Sequence, residues 1–208
     1  MSLCDLDGGN LDFLRTYFSK RLEVPDSTLQ AIADVSEVIY LKKNSVLQEA
    51  EKESHYFYFL MEGVVREYVK RDKGASLNLT FRYAPDTCGF VSPAQKKTSA
   101  VCSISAVTDV YVSRISGDDF FSLLQRHPNL LTLLLVENEH HHVQFYKRLE
   151  KLIESDITAC LLGEGELPLN VVKKIPGYQL ASYFGVTPES LSRIKARLKC
   201  NNQLAASA

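Results

Sequence analysis

The sequence predicts an α+β protein: an N-terminal antiparallel β-roll of jelly-roll type, then one long helix, then a small helical domain. Three observations lead there. Between Glu37 and Ser116 the chain is rich in Val, Ile, Tyr, Phe and Thr, and turn signals such as Lys43-Asn44, Glu62-Gly63, Asp72-Lys73-Gly74 and Pro85-Asp86 break it at short intervals. From Asn129 to Ser155 apolar residues recur at helical spacing with no breaker. From Tyr178 to Lys199, YQLASYFGVTPESLSRIKARLK, a glycine and a capping residue separate two short helical patterns.

Taken in order, Asn10 to Arg21 carries Leu11, Leu14 and Phe18, with Leu22 following, at helical spacing, and Ser27 to Val35 forms a second short helix after Pro25-Asp26. The strand region follows. Leu77, Leu79, Phe81 and Tyr83 alternate with Asn78, Thr80 and Arg82, the pattern of a strand with one buried and one solvated face. About seven or eight such strands make a barrel or jelly roll. Gly117-Asp118-Asp119 is expected to cap a helix from Phe120 to Arg126, and His127-Pro128 resets the chain into the long helix.

Along that helix Leu131, Leu135, Asn138, His142, Phe145, Leu149 and Leu152 follow one another at alternating spacings of four and three. This is a narrow coiled-coil seam, and polar Asn138 and His142 within it are the kind of interruption that fixes register and oligomer state. The seam predicts a homodimer; packing of the same stripe on the β-roll is the alternative. Ser155-Asp156 is a hinge candidate, because Ile157 to Leu162 restarts a short helix that Gly163-Glu164-Gly165-Glu166 ends.

The C-terminal window reads as a helix-turn-helix. Leu180 to Phe184 form the first helix, Gly185 can take a positive φ at the bend, and Thr187 caps a second helix with Pro188 at its first position. Leu180, Ala181, Phe184, Val186, Leu191 and Ile194 face the shared core. The outer face then carries Thr187, Glu189, Ser190, Ser192, Arg193, Lys195 and Arg197, a cationic helix of the kind the major groove of double-stranded DNA accepts. The overall charge of −1 hides this. From Asp156 onward there are six Lys and Arg against four Asp and Glu, and between Lys173 and Lys199 six against one.

At 208 residues with 45% hydrophobic composition the chain can bury a substantial core. Its longest apolar run, Leu130 to Val136, is far short of a membrane span, and MSLCDLDGGN lacks the basic and apolar parts of a signal peptide, so a cytoplasmic protein without membrane partners is expected. Five scattered cysteines without a C-x-x-C pair suggest neither a disulfide framework nor a zinc knuckle. No G-x-S-x-G, Walker loop or H-E-x-x-H occurs, which argues for a binding protein and against an enzyme.

Several of these stretches resemble the Crp/Fnr superfamily of bacterial transcription regulators. The matching residues are Leu180-Ala181-Ser182, Gly185, Thr187-Pro188-Glu189-Ser190 and Leu191-Ser192-Arg193-Ile194; Tyr56 to Arg66 and Lys73-Gly74 through Phe81 look like hairpins of its cyclic-nucleotide-binding β-roll. The resemblance implies a sensor domain over residues 1–128, a dimerisation helix over 129–155 and a helix-turn-helix domain over 156–208. In that family Glu189 and Arg193 would read base edges of a near-palindromic site, and RNA polymerase and a small-molecule effector would be partners. The family's winged helix usually closes with two strands; so few residues follow Lys199 that the wing must be short or absent.

The family's phosphate cassette would fall between Cys88 and Ala100, with the candidate effector pocket at Gly89, Phe90, Thr98 and Ser99 and at His141 and His142 of the long helix. Gly89 and Ser99-Ala100 match. Phe90 stands at the glutamate position and Thr98 at the arginine position, so the bidentate grip on a cyclic phosphate is missing, and adjacent Lys96 and Lys97 offer only point charges. A cyclic AMP effector is therefore not expected; a more apolar ligand and an empty structural pocket both remain open. No metal or cofactor is expected: consecutive His140, His141 and His142 project about 100° apart and cannot converge on one ion, and Glu137 with His141 would need further ligands. A ligand-binding β-roll whose terminal helices dock a protein partner is the alternative to a DNA-binding regulator.

Overall fold

The structure of the protein is a computed structural model that describes residues 3–52, 56–71, 76–89, 100–154 and 157–205. Two helices, α1 (Leu3–Ser19) and α2 (Asp26–Val35), precede eight strands: β1 (Ser36–Leu41), β2 (Val46–Gln48), β3 (Tyr56–Glu62), β4 (Val64–Lys70), β5 (Ser76–Tyr83), β6 (Asp86–Cys88), β7 (Ser103–Ala106) and β8 (Val110–Ser116). Six helices follow: α3 (Gly117–Arg126), α4 (Asn129–Glu154), α5 (Ile157–Leu162), α6 (Leu169–Val172), α7 (Gly177–Tyr183) and α8 (Pro188–Ala205). The strands form two four-stranded sheets, ordered β1-β8-β3-β6 and β2-β7-β4-β5. The ladders β1–β8, β3–β8, β3–β6 and β2–β7 are antiparallel, Ile39 opposing Val112 and Phe59 opposing Ser113, as an alternating β-rich sequence predicts.

The chain divides into two compact units, one of Met1–Val65 with Arg82–His140, the other of Arg66–Phe81 with His141–Ala208. Most of β4 and of β5 thus groups with the C-terminal helices, whereas the sequence reading places both within residues 1–128. In the first unit one core lies between sheet and helices: Leu14, Tyr17 and Phe18 of α1, Leu29 and Ile32 of α2, Phe59, Ile115, Phe120 and Leu123, closed by Leu130 and Leu133 of α4. Each such side chain contributes about 1.5–3 kcal/mol by leaving water. A second cluster, with Tyr58, Leu60, Val65, Ile104, Val110 and Val112, fills the roll. Burial pushes the Tyr58 phenol up to about 12.

Gly63 makes the β3–β4 turn with φ +95°, and a Cβ there would lie 2.7 Å from Val110 Cγ1, so only glycine fits. Just after α1, Arg21 Nε meets Glu137 Oε1 of α4 at 2.8 Å, both side chains largely buried, and the guanidinium lies 3.9 Å from the centre of the Tyr17 ring. Glu137 also accepts from the Thr87 hydroxyl at 3.4 Å.

Several elements differ from their expected form. α1 begins at Leu3 and runs through Gly8 and Gly9; it ends at Ser19, where the N–H groups of Arg21 and Leu22 both turn back to Phe18 O. α3 starts at Gly117 and its cap is Ser116, whose Oγ accepts the Asp119 N–H at 3.2 Å, a role Gly117-Asp118-Asp119 cannot fill because Ser116 sits at the last non-helical position. α6 was not foreseen, being four residues long and carrying no periodic signal. On the face of β5 expected to be solvated, Asn78 is 0% exposed while Thr80 and Arg82 are half-buried. Ser155-Asp156, the hinge candidate, lies outside the described residues.

Candidate nucleic-acid interface

The second unit builds its surface from α7, a turn and α8. Pro176 precedes α7, and its carbonyl accepts the N–H groups of Gln179 and Leu180, so the helix starts at Gly177, three residues before the position read from the sequence. Leu180, Ala181 and Tyr183 are buried along α7, and Leu191 along α8. At the bend Gly185 has φ +68°, and Val186 N–H returns to Ala181 O at 3.0 Å, tying the turn to the helix before it.

Thr187 opens α8 as a cap. Its Oγ1 accepts the Ser190 N–H at 3.2 Å and its carbonyl the Leu191 N–H at 3.0 Å, with Pro188 following at the first helical position. The Thr187 hydroxyl also meets Ser190 Oγ at 3.1 Å. Glu189 is fully exposed; a hydrogen bond from its own backbone N–H, then one involving Thr187, holds its carboxyl below the usual glutamate value. It is thus an anion, and a pure hydrogen-bond acceptor, at neutral pH. α8 continues to Ala205, six residues past the expected end.

Glu189, Ser192, Arg193 and Arg197 are exposed, as is the capping Thr187, while Ser190 and Lys195 are half-buried. Glu189, Arg193 and Arg197 follow one another at i, i+4 and i+8 on one side of the helix. Lys195 lies two residues from Arg193, about 200° around the helix, which is why it turns toward the body of the unit and away from that face.

On α4 the seven seam residues Leu131, Leu135, Asn138, His142, Phe145, Leu149 and Leu152 are all exposed, Leu135 at 69% and Phe145 at 59%. The apolar residues that α4 gives to the core of the first unit are others, Leu130 and Leu133, so that part of the helix carries two separate stripes. Of the candidate effector pocket, Gly89 is described, with φ +86°, and His141 is half-buried and His142 exposed on α4. Phe90, Thr98 and Ser99, together with Lys96 and Lys97, lie outside the described residues.

Sequence reasoning missed the polar cluster behind α7. Asn78 Nδ2 donates to Gln179 O at 2.9 Å, and its Oδ1 accepts from Arg66 at 3.1 Å. Its backbone N–H reaches Ser182 Oγ at 3.1 Å and its carbonyl accepts from Arg148 at 3.1 Å. The Tyr183 hydroxyl donates to Glu166 in a short bond, and burial, then the Glu166 charge, pushes that phenol well above its ordinary value. Burial lowers the Arg148 guanidinium, opposed by Tyr183 and Glu166. An asparagine in an alternating strand reads as its wet face, so the only available signal was the turn-like polar residue in an otherwise β-favouring run.

No helix among the described residues is long and apolar enough to cross a membrane. Residues 38–127 match the family described as cyclic nucleotide-binding domain. No curated protein sequence matches the chain. Among solved structures, the c-di-GMP-responsive global regulator CLP of Xanthomonas campestris is similar with a TM-score of 0.68 and 15% identity, over 86% of this chain and 93% of that one. FixK2 of Bradyrhizobium japonicum gives 0.59 at 16% identity, over 81% and 86%. A protein described as a transcriptional regulator of the Crp/Fnr family, from Eubacterium rectale, gives 0.67 at 14%, over 86% and 85%. At such identities the likeness is one of fold.

Proposed function

We propose that this chain, whose residues 38–127 match the cyclic nucleotide-binding domain family and whose fold is like that of a Crp/Fnr regulator, is a dimeric, sequence-specific DNA-binding transcription regulator. The observation that carries the reading is the exposed face of α8, where Glu189, Arg193 and Arg197 align behind a capped N-terminus while Leu191 anchors the opposite side. Arg193 can bond a guanine bidentately, Glu189 can accept from a cytosine amino group, and Arg197 and the N-terminal turn are placed for phosphates.

The exposed seam on α4 supports dimerisation, since a second copy would take it out of water. The two-fold axis of such a dimer makes the preferred site near-palindromic, with half-sites about one helical turn of DNA apart. The effector is a ligand other than cyclic AMP, because Phe90 and Thr98 replace the acid and the guanidinium that would hold its ribose and phosphate. The response of CLP to c-di-GMP makes that dinucleotide a second compound to try. Selection of bound sites from random DNA tests the reading directly: it should return a two-fold motif, bound with an affinity that falls steeply with salt. Recovery of no enriched sequence would reject it.

A further inference from the structure

The polar cluster joining β5, α4 and α7 is built at a cost that its packing does not require. Arg148 is a half-buried cation whose own Nε is buried and has no hydrogen-bond partner among the described residues. A methionine there would fill the space without a desolvated charge, and breaking a buried polar contact is costly where replacing it by apolar volume often is not. What the guanidinium adds is direction. One nitrogen, Nη2, donates to Tyr183 O at 3.0 Å and to Asn78 O at 3.1 Å, while the plane lies over the Tyr183 ring with its carbon 4.2 Å from the ring centre.

Both acceptors matter. Tyr183 is the last residue of α7, so its carbonyl is among those that a helix leaves unpaired, and a cation at that end is favoured. Asn78 lies on β5, the edge of its sheet, and its outward N–H and C=O would otherwise be open. The turn after Tyr183 is bonded back to α7, through Gly185 N–H to Ser182 O and Val186 N–H to Ala181 O, so the direction of α8 follows the end of α7. Arg148 belongs to α4, one helical turn from the seam residue Phe145 and next to Leu149.

We propose that Arg148 is a positioning residue for DNA recognition: its contacts to Tyr183 and Asn78 set the angle between α4 and the α7–α8 pair. Through that angle they set the separation of the two reading helices in the dimer. The inference rests on the DNA-binding reading of α8 and the dimer reading of α4. It concerns geometry and not base reading, so it makes a different demand on the data: removing the guanidinium should disturb how two half-sites are spaced without changing which bases each prefers.

The test uses the full chain, the motif that the wild type selects, and a series of DNAs carrying one half-site or two half-sites at varied spacing. Arg148→Met should bind a single half-site as the wild type does. It should lose about a hundredfold on the optimal two-half-site DNA and show a broadened spacing preference, because simultaneous engagement is what fails. Arg148→Lys should recover part of the loss, since an ammonium can reach a carbonyl but cannot stack flat on the ring. An unchanged spacing optimum and affinity in Arg148→Met would overturn the proposal while leaving DNA binding intact. Parallel loss of half-site binding and thermal stability in both variants would also overturn it, by making Arg148 a strut. If the Met variant does not fold, the Lys variant decides on its own: wild-type spacing and affinity there reject the proposal. Failure of the wild type to select any motif is the separate outcome that removes the DNA-binding reading itself.

Discussion

Ser182 Oγ on α7 accepts the backbone N–H of Asn78 on β5 at 3.1 Å, and the same hydroxyl donates to Ser76 O at 2.8 Å. One side chain thus closes two edge groups of a strand, two residues apart, and the helix carrying it takes the place of a further strand.

Removing that hydroxyl leaves a buried N–H unpaired. Ser182→Ala is expected to cost about 1–3 kcal/mol in urea denaturation, and Asn78→Leu a similar amount, since Gln179 O and Arg66 each lose a partner. Destabilisation below the error of the extrapolation in both would mean that the edge is solvated.

The Arg21–Glu137 pair should behave as a buried ion pair does. Arg21→Met or Glu137→Leu alone strands a charge and is expected to cost about 3–5 kcal/mol, whereas the double variant should be markedly less unstable than the sum. Additive losses would show that water reaches both groups.

Leu149→Glu puts a charge into the α4 seam of both subunits at once. Sedimentation should show a dimer for the wild type and a monomer for the variant, with DNA affinity falling alongside. A wild type that sediments as a monomer at high concentration removes the dimer.

On α8 the two arginines divide the work. Arg193→Ala should cost about 1–3 kcal/mol and relax preference at one base pair of each half-site. Arg197→Ala should weaken all sequences alike and reduce the salt slope by about one. An unchanged sequence logo for the first and an altered one for the second would mean that α8 sits in the groove the other way round.

Cyclic AMP should not bind. With Phe90 and Thr98 at the acid and arginine positions, calorimetry with micromolar nucleotide is expected to show no heat of association beyond dilution. A saturable isotherm would shift attention to Lys96, Lys97 and Ser99 as phosphate ligands.

The sequence by itself determined what neighbouring residues decide among themselves: the strand-rich region, the turn at Gly63, the bend at Gly185, the Thr187 cap and the helical spacing of α4. These depend on backbone freedom, capping geometry and periodicity, all contained within a turn or two of chain. The tertiary structure alone decided that residues 66–81 group with the C-terminal helices and that Asn78 is dry. Asn78 is polar and sits in a regular alternation, so its local pattern assigns it to water. Its partners Ser182 and Gln179 stand 104 and 101 residues away, and only once the fold brings that helix against the open edge of β5 does an amide inside become better satisfied than one outside.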